Sequence, residues 1–181
     1  MIILIGGRAG EGKTTFANLC QKVLLDKQLG SSVIVPFAKM VKETALFMGW
    51  NGEKDDKGRK LLQDLGGIGR EYNLDIWADH VVDFITSLPV LFDVVFIDDW
   101  RFPNEAKVIR NHFFPVVTVR IIRPEEFHTL RGTPMYNEVS EISLPEEESY
   151  YDFIINNDKD LKKLDDKVET FVEKILQKRK K

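Results

Sequence analysis

"IILIGGRAGEGKTTFANLC", residues 2–20, is the stretch whose reading decides the fold. Ile2, Ile3, Leu4 and Ile5 form a short apolar run, largely β-branched, that reads as a buried strand. Gly7, Gly12, Lys13 and Thr14 then fit the pattern Gly-x-x-x-x-Gly-Lys-[Ser/Thr]. Glycine adopts the dihedrals that turn consecutive backbone N–H groups inward, and its missing side chain lets the backbone approach a phosphate closely. Arg8, Ala9, Gly10, Glu11 and Thr15 complete the loop around that phosphate. In such a loop Lys13 neutralises the outer phosphates of a nucleotide and the Thr14 hydroxyl ligates Mg²⁺. Beyond Lys13, the residues Phe16, Leu19, Cys20, Val23 and Leu24 recur at helical spacing. Strand, loop and helix follow in the order the motif requires.

The 181 residues suit one domain, 1–181, with a sizeable core. Twenty-six Lys and Arg against 29 Asp and Glu leave a net charge of −3, which gives no support to a general nucleic-acid binder. Cys20 is the single cysteine, so neither an intrachain disulfide nor a cysteine-based zinc site is open to the chain. On the apolar face of the first helix it reads as a packing residue. No apolar run reaches the ~20 residues of a membrane span. With a strand beginning at residue 2, no cleavable signal is expected, and the chain is expected to be soluble and cytoplasmic. The oligomeric state stays open, a homodimer included.

Strand-like and helix-like segments alternate along the chain. Residues 33–37 read as a second strand, 38–48 as a helix ending at Gly49, and 51–58 as a polar loop. Residues 59–65 and 75–88 carry helical periodicity, the second with Ile76, Val81, Val82, Ile85 and Leu88 as its stripe. Residues 94–97 are a buried strand with Asp98 and Asp99 at its end, 104–112 a short helix, and 116–122 a fourth strand. Residues 153–155 read as a last strand and 158–176 as a last helix, before a solvated basic tail over 178–181. Residues 124–149, rich in charge and without periodicity, read as a lid. This alternation implies a three-layer α/β fold, a parallel sheet with helices on both faces. Ligands in such sheets bind beyond the strand C-termini. That rule brings the glycine loop, Phe37, Ala38, residues 98–101 and Arg123 to one edge.

Either Asp98 or Asp99 would serve as the carboxylate beside Mg²⁺, with a helix cap or an arginine pair as the alternative. Arg101 is placed to bind an anionic acceptor. Arg59, Arg70, Arg123 and Arg131 supply further guanidinium groups, which bind phosphates bidentately. Moving a phosphoryl group between two polyanions is chiefly a matter of positioning and charge neutralisation. A phosphomonoester acceptor, with its second pKa at about 6, needs no general base. The three histidines, His80, His112 and His128, are scattered accordingly, and only His128 falls in the lid.

Four stretches carry a family likeness: "GGRAGEGKTTFA", "PFAKMVKETA", "RKLLQDLGGIGREYNLDIWADHV" and "IDDWRFPNEAKVI". A weaker fifth is "EVSE" followed by "DFIINNDKDLKKL". Through them the chain resembles the deoxynucleoside monophosphate kinases of the bacteriophage type, a branch of the P-loop nucleotide kinases. The resemblance implies a P-loop NTPase fold that takes ATP and Mg²⁺ on the loop side and a deoxynucleoside monophosphate over residues 38–88, beneath a lid over 124–149. It favours Asp99 over Asp98 as the acid that joins Thr14 at Mg²⁺. Lys13, Asp99, Arg101, Arg123 and Arg131 are then the expected catalytic set. Lys39, Arg70, Trp77, Arg101 and Glu105 carry over to the acceptor side, where Phe37, Gln63 and Trp100 join them as expected contacts. Trp77, Trp100 and Phe102 are candidates for the apolar wall that would exclude a 2′-hydroxyl. The sequence departs from the family pattern at Glu138, where a histidine is expected three residues before Glu141, and at Gly67, where a threonine is common.

Two other readings stay open. A P-loop kinase of another phosphorylated acceptor, of the phosphomevalonate or dephospho-coenzyme A kind, shares the loop and the lid arginines. An ATP-binding switch shares the loop and lacks an acceptor. No Asn-Lys-x-Asp guanine motif is present.

Overall fold

A strand covered on both faces must place successive side chains in two different apolar layers. β1 (Ile2–Gly6) does so. Ile3 and Ile5 pack beneath α1 (Lys13–Asp26) and α7 (Leu161–Arg179), while Ile2 and Leu4 pack beneath α4 (Ile76–Ser87) and α5 (Pro103–His112). None of the four is more than 3% exposed. Phe16 of α1 and Phe171 of α7 meet with ring centroids 5.1 Å apart and close the first layer. Truncating either to alanine would cost about 3–5 kcal/mol.

β2 (Ser32–Ile34), β3 (Val94–Trp100), β4 (Val116–Ile122) and β5 (Phe153–Asn156) complete a five-stranded sheet in the order β2-β3-β1-β4-β5. Every pairing is parallel, with Ile3 set between Phe96 and Val117. This is the three-layer α/β fold that the alternation implies. The computed structural model describes residues 1–124, 126, 131–158 and 161–179, without the side chains of 134, 135, 161, 162 and 179.

Between β2 and β3 the chain makes a helical excursion through α2 (Lys39–Phe47), α3 (Asp56–Tyr72) and α4, which pack on one another. α3 starts inside the expected loop 51–58, because the Asp55 carboxylate caps it by accepting the Gly58 N–H at 2.7 Å. β2 stops earlier than expected: Val35 still donates to Phe96 O at 2.8 Å, and then Pro36 has no N–H to offer. The expected lid segment holds a 3-10 turn (Pro134–Asn137) and the short helix α6 (Val139–Ile142). His128, with residues 125, 127, 129 and 130 of that segment and Lys180 and Lys181 of the tail, lies outside the described residues. Cys20 is fully buried and burial pushes its thiol up, in keeping with a packing role. Among the described residues no helix is long and apolar enough to cross a membrane.

Candidate functional site

The glycine loop leaves β1 between the ends of β3 and β4 and is held from below. At Gly7 (φ +149°) an added Cβ would lie 2.4 Å from Glu11 Oε2 and 2.9 Å from Ile121 O. At Gly12 (φ +93°) it would lie 2.4 Å from Asn157 Nδ2. Both contacts are structural braces. Glu11, nearly sealed from solvent, accepts the Arg8 N–H at 2.5 Å, and Asn157 donates to Glu11 O at 2.8 Å. Asn157, just past the end of β5, thus fixes the loop from below. α1 has no side-chain cap and no acid in its first turn, so its leading amides are left for an anion. Lys13 is buried and donates to Gly7 O and Arg8 O, both at 2.7 Å. Burial, followed by the charge of Arg101, lowers its ammonium to about 7. Arg123 donates to Gly10 O at 2.8 Å, and the Arg8 guanidinium lies 4.7 Å from the Tyr136 ring centre.

The two adjacent aspartates of β3 point to opposite faces, as successive residues of a strand do, and the strand turns irregular around them. Leu4 faces Ile97 and Gly6 faces Trp100, so three steps on β3 match two on β1. Asp98 Oδ2 accepts the Thr14 hydroxyl at 2.5 Å. Asp99 is turned to the end of β2, where its two oxygens accept the N–H groups of Phe37 at 2.7 Å and Ala38 at 3.0 Å. The acid hydrogen-bonded to Thr14 is therefore Asp98, whereas the resemblance favoured Asp99 beside that residue. Burial and the charge of Asp98 hold the Asp99 carboxyl above the ordinary range, against the pull of its two amides. The irregularity corrects another expectation. Trp100 shares the layer of Ile97 rather than that of Phe96, is fully buried, and donates to Phe102 O at 2.8 Å. It is a core residue stacked on Tyr150, not a cavity wall.

A cavity of about 590 Å³ opens at this edge. Ala9, Gly10, Lys13, Thr14, Asp98, Asp99 and Arg101 form its loop side, and Phe37, Val41, Leu62, Trp77 and Phe102 supply apolar wall. Of the expected acceptor contacts, Phe37, Gln63, Arg70, Trp77, Arg101 and Glu105 line it. Arg70 lies over the Phe102 ring at 4.2 Å, and its partial burial lowers its pKa. The Trp77 indole donates to Gly66 O at 3.0 Å. Glu105 Oε2 accepts the N–H groups of Arg101 and Phe102, each at 3.0 Å, and burial raises its carboxyl to about 8. Gly7, Arg8, Glu11, Gly12 and Arg123 stand behind the lining in or against the glycine loop, Trp100 is in the core, and three expected residues lie farther off. Lys39 pairs with Glu43 one turn along α2 and lies over Phe84, Thr15 is on the exposed side of α1, and Arg131 is exposed.

Four charged residues outside the expected contacts line it as well, one of which, Arg59, was expected only as a phosphate-binding guanidinium. Lys42, Lys54 and Arg59 come from α2, the turn after it, and α3. Among the described residues none of them is in an ion pair. Burial, then the charges of Lys42 and Arg59, lower the Lys54 pKa. Glu141 of α6 is the fourth; it accepts the Ala9 N–H at 2.7 Å and pairs with Arg101 at 2.8 Å. Arg101 also donates to Gly7 O at 3.0 Å. Lys42, Lys54 and Arg59 sit on three different segments, and no spacing in the sequence brings them together; for Glu141 the one signal was the weak "EVSE" likeness.

No protein-family model matches the chain, and no curated protein sequence does. Solved structures do. The APS kinase CysC of Mycobacterium tuberculosis, in complex with AMPPNP and APS, is similar with a TM-score of 0.56 at 13% identity, over 98% of this chain and 96% of that one. A shikimate kinase from Bacteroides thetaiotaomicron gives 0.52 at 14%, over 97% and 98%. The structure of APE1195 gives 0.51 at 15%, over 98% and 94%. At these identities the likeness is one of fold: the chain shares the three-layer α/β fold of these structures.

Proposed function

We propose that this chain is an ATP-dependent kinase that transfers the γ-phosphoryl group of ATP to the phosphate of a deoxynucleoside monophosphate. One observation carries the reading: a single cavity holds two separate groups of cations. Lys13 and Arg101 stand at the loop, and Lys42, Lys54 and Arg59 stand on the excursion between β2 and β3. A donor triphosphate needs the first group; an acceptor with its own phosphate gives work to the second. The aromatic wall of Phe37, Trp77 and Phe102 between polar groups such as Gln63 suits a flat base and an apolar sugar face. A 2′-hydroxyl against that wall would be buried without a partner, at about 1–3 kcal/mol. Residues 38–88 thus form the acceptor segment, and 124–149 the cover.

The residues present fit Mg²⁺. Thr14 and Asp98 join two hard oxygen donors beside the loop, and among the described residues no cluster of three or more His, Cys, Asp or Glu competes for the ion. That is the sparse protein ligation Mg²⁺ takes when phosphates and waters complete its shell. Bound there, the ion would neutralise charge on the donor phosphates. Lys13 and Arg101 would do the same for the transferring group, and Asp99 would hold Phe37 and Ala38, hence the start of α2, in register with it. An acceptor phosphate oxygen attacks the γ-phosphorus, the bond to the β-phosphate oxygen breaks, and ADP leaves.

A coupled assay tests this. ATP and Mg²⁺ are supplied with each nucleoside monophosphate, deoxy and ribo, and with non-nucleotide phosphorylated acceptors. ADP formation is expected with one or more deoxynucleoside monophosphates, at higher kcat/KM than with their ribo counterparts. ADP formation only with a non-nucleotide acceptor, or equally without any acceptor, would overturn the reading.

A further inference from the structure

α6 delivers a carboxylate into the mouth of the glycine loop. The Glu141 side chain is only 7% exposed, and its Oε2 sits 2.7 Å from Ala9 N and 2.8 Å from an Arg101 nitrogen. A loop amide and a guanidinium on one anionic oxygen are the contacts a phosphate oxygen takes at such a site. Lys13, meanwhile, is folded back on the carbonyls of Gly7 and Arg8. Glu141 is the foremost of the acids that stabilise its charge there. The loop thus has its anion already, supplied by the chain itself.

We infer that Glu141 takes the contacts of a nucleotide phosphate oxygen, so that nucleotide binds only by displacing α6. The inference rests on the reading of the loop as the ATP-phosphate site. Its logic is electrostatic. Lys13 and Arg101 meet at the loop, where burial and then the charge of Arg101 lower the Lys13 pKa. Glu141 offsets that repulsion and competes with the ligand when one arrives. The competition sets a threshold on nucleotide affinity and keeps a water-filled, half-assembled site from persisting.

The test is isothermal titration of ADP, and separately of pyrophosphate, into the wild-type chain and Glu141→Gln, without Mg²⁺. Glutamine still accepts the Ala9 N–H and loses the charge. Both probes should bind about tenfold tighter to the variant, since a charged hydrogen bond of roughly 1.5 kcal/mol no longer competes. Equal or weaker binding to the variant would overturn the stand-in role and leave Glu141 as a support for Arg101. Binding to neither chain would overturn the loop reading and this inference together. A second measurement needs no variant: amide exchange over residues 138–143 of the wild-type chain should become faster when ADP binds. Slower exchange there would mean that α6 closes over nucleotide instead of yielding to it, and would overturn the inference.

Discussion

Replacing Asp98 and Asp99 by alanine, one at a time, separates two carboxylates that are neighbours in sequence and not in environment. Asp99 accepts two backbone N–H groups, from Phe37 and Ala38, in a partly buried position at the cavity edge. Asp99→Ala leaves both donors without acceptors, at about 1–3 kcal/mol each. Relief of a buried charge offsets part of this, so a net loss of about 2–3 kcal/mol is expected. For a chain of 181 residues, at roughly 2–4 °C per kcal/mol, Tm falls by about 4–12 °C. Asp98 accepts one hydroxyl, that of Thr14, which is exposed and finds water when its partner is gone. Asp98→Ala therefore moves Tm by a few degrees at most, while Mg²⁺-dependent turnover falls about 10- to 100-fold or more. Differential scanning calorimetry beside a turnover assay at several Mg²⁺ concentrations reads both quantities. A stable Asp99→Ala with weakened Mg²⁺ dependence, paired with an unstable but fully active Asp98→Ala, would refute the assignment.

The cation trio gives a second expectation: Arg59→Ala should lower kcat/KM for the acceptor by about 10- to 150-fold, the worth of a charged contact. ATP binding, followed by titration, should be unchanged; an equal loss of ATP affinity would move Arg59 to the donor. Glu105 gives a third. Its carboxyl is raised to about 8 in the folded chain against an ordinary 4.5, so the folded state keeps a proton that the unfolded state releases. Stability is therefore whole below about pH 4.5 and is lost as pH rises through about 8, by at most about 1.4 kcal/mol per unit. Glu105→Gln keeps an oxygen for the Arg101 and Phe102 amides and should flatten that loss. Parallel urea curves for the two chains at pH 5 and at pH 9 would contradict it.

Residues 2–15 were legible because everything that matters there is local: a β-branched run, glycines at fixed spacing and a lysine at a helix start. The remaining strands were legible as continuous apolar runs, which only a sheet covered on both sides accommodates. What was not legible depended on direction. One extra residue in β3 decides that Trp100 enters the core, and no periodicity marks it. Alternation parts Asp98 from Asp99, but only the packing of the sheet decides which of them meets Thr14. Lys39 and Lys42 lie on the same helix, and only the packing of α2 on α3 and α4 decides which reaches the cavity. Glu141 comes from a segment with no repeat at all, and its partners Ala9 and Arg101 are remote in sequence.

The central claim is that phosphate moves from ATP to a phosphate on a nucleoside, and labelled ATP follows that movement directly. The chain is incubated with ATP carrying ³²P in the γ-position, Mg²⁺ and the deoxynucleoside monophosphate that best supports ADP formation, and the products are resolved by ion exchange. The account predicts that the label appears in the deoxynucleoside diphosphate, at its terminal phosphate, in step with ADP. Label recovered as inorganic phosphate, at the same rate with or without the acceptor, would contradict it.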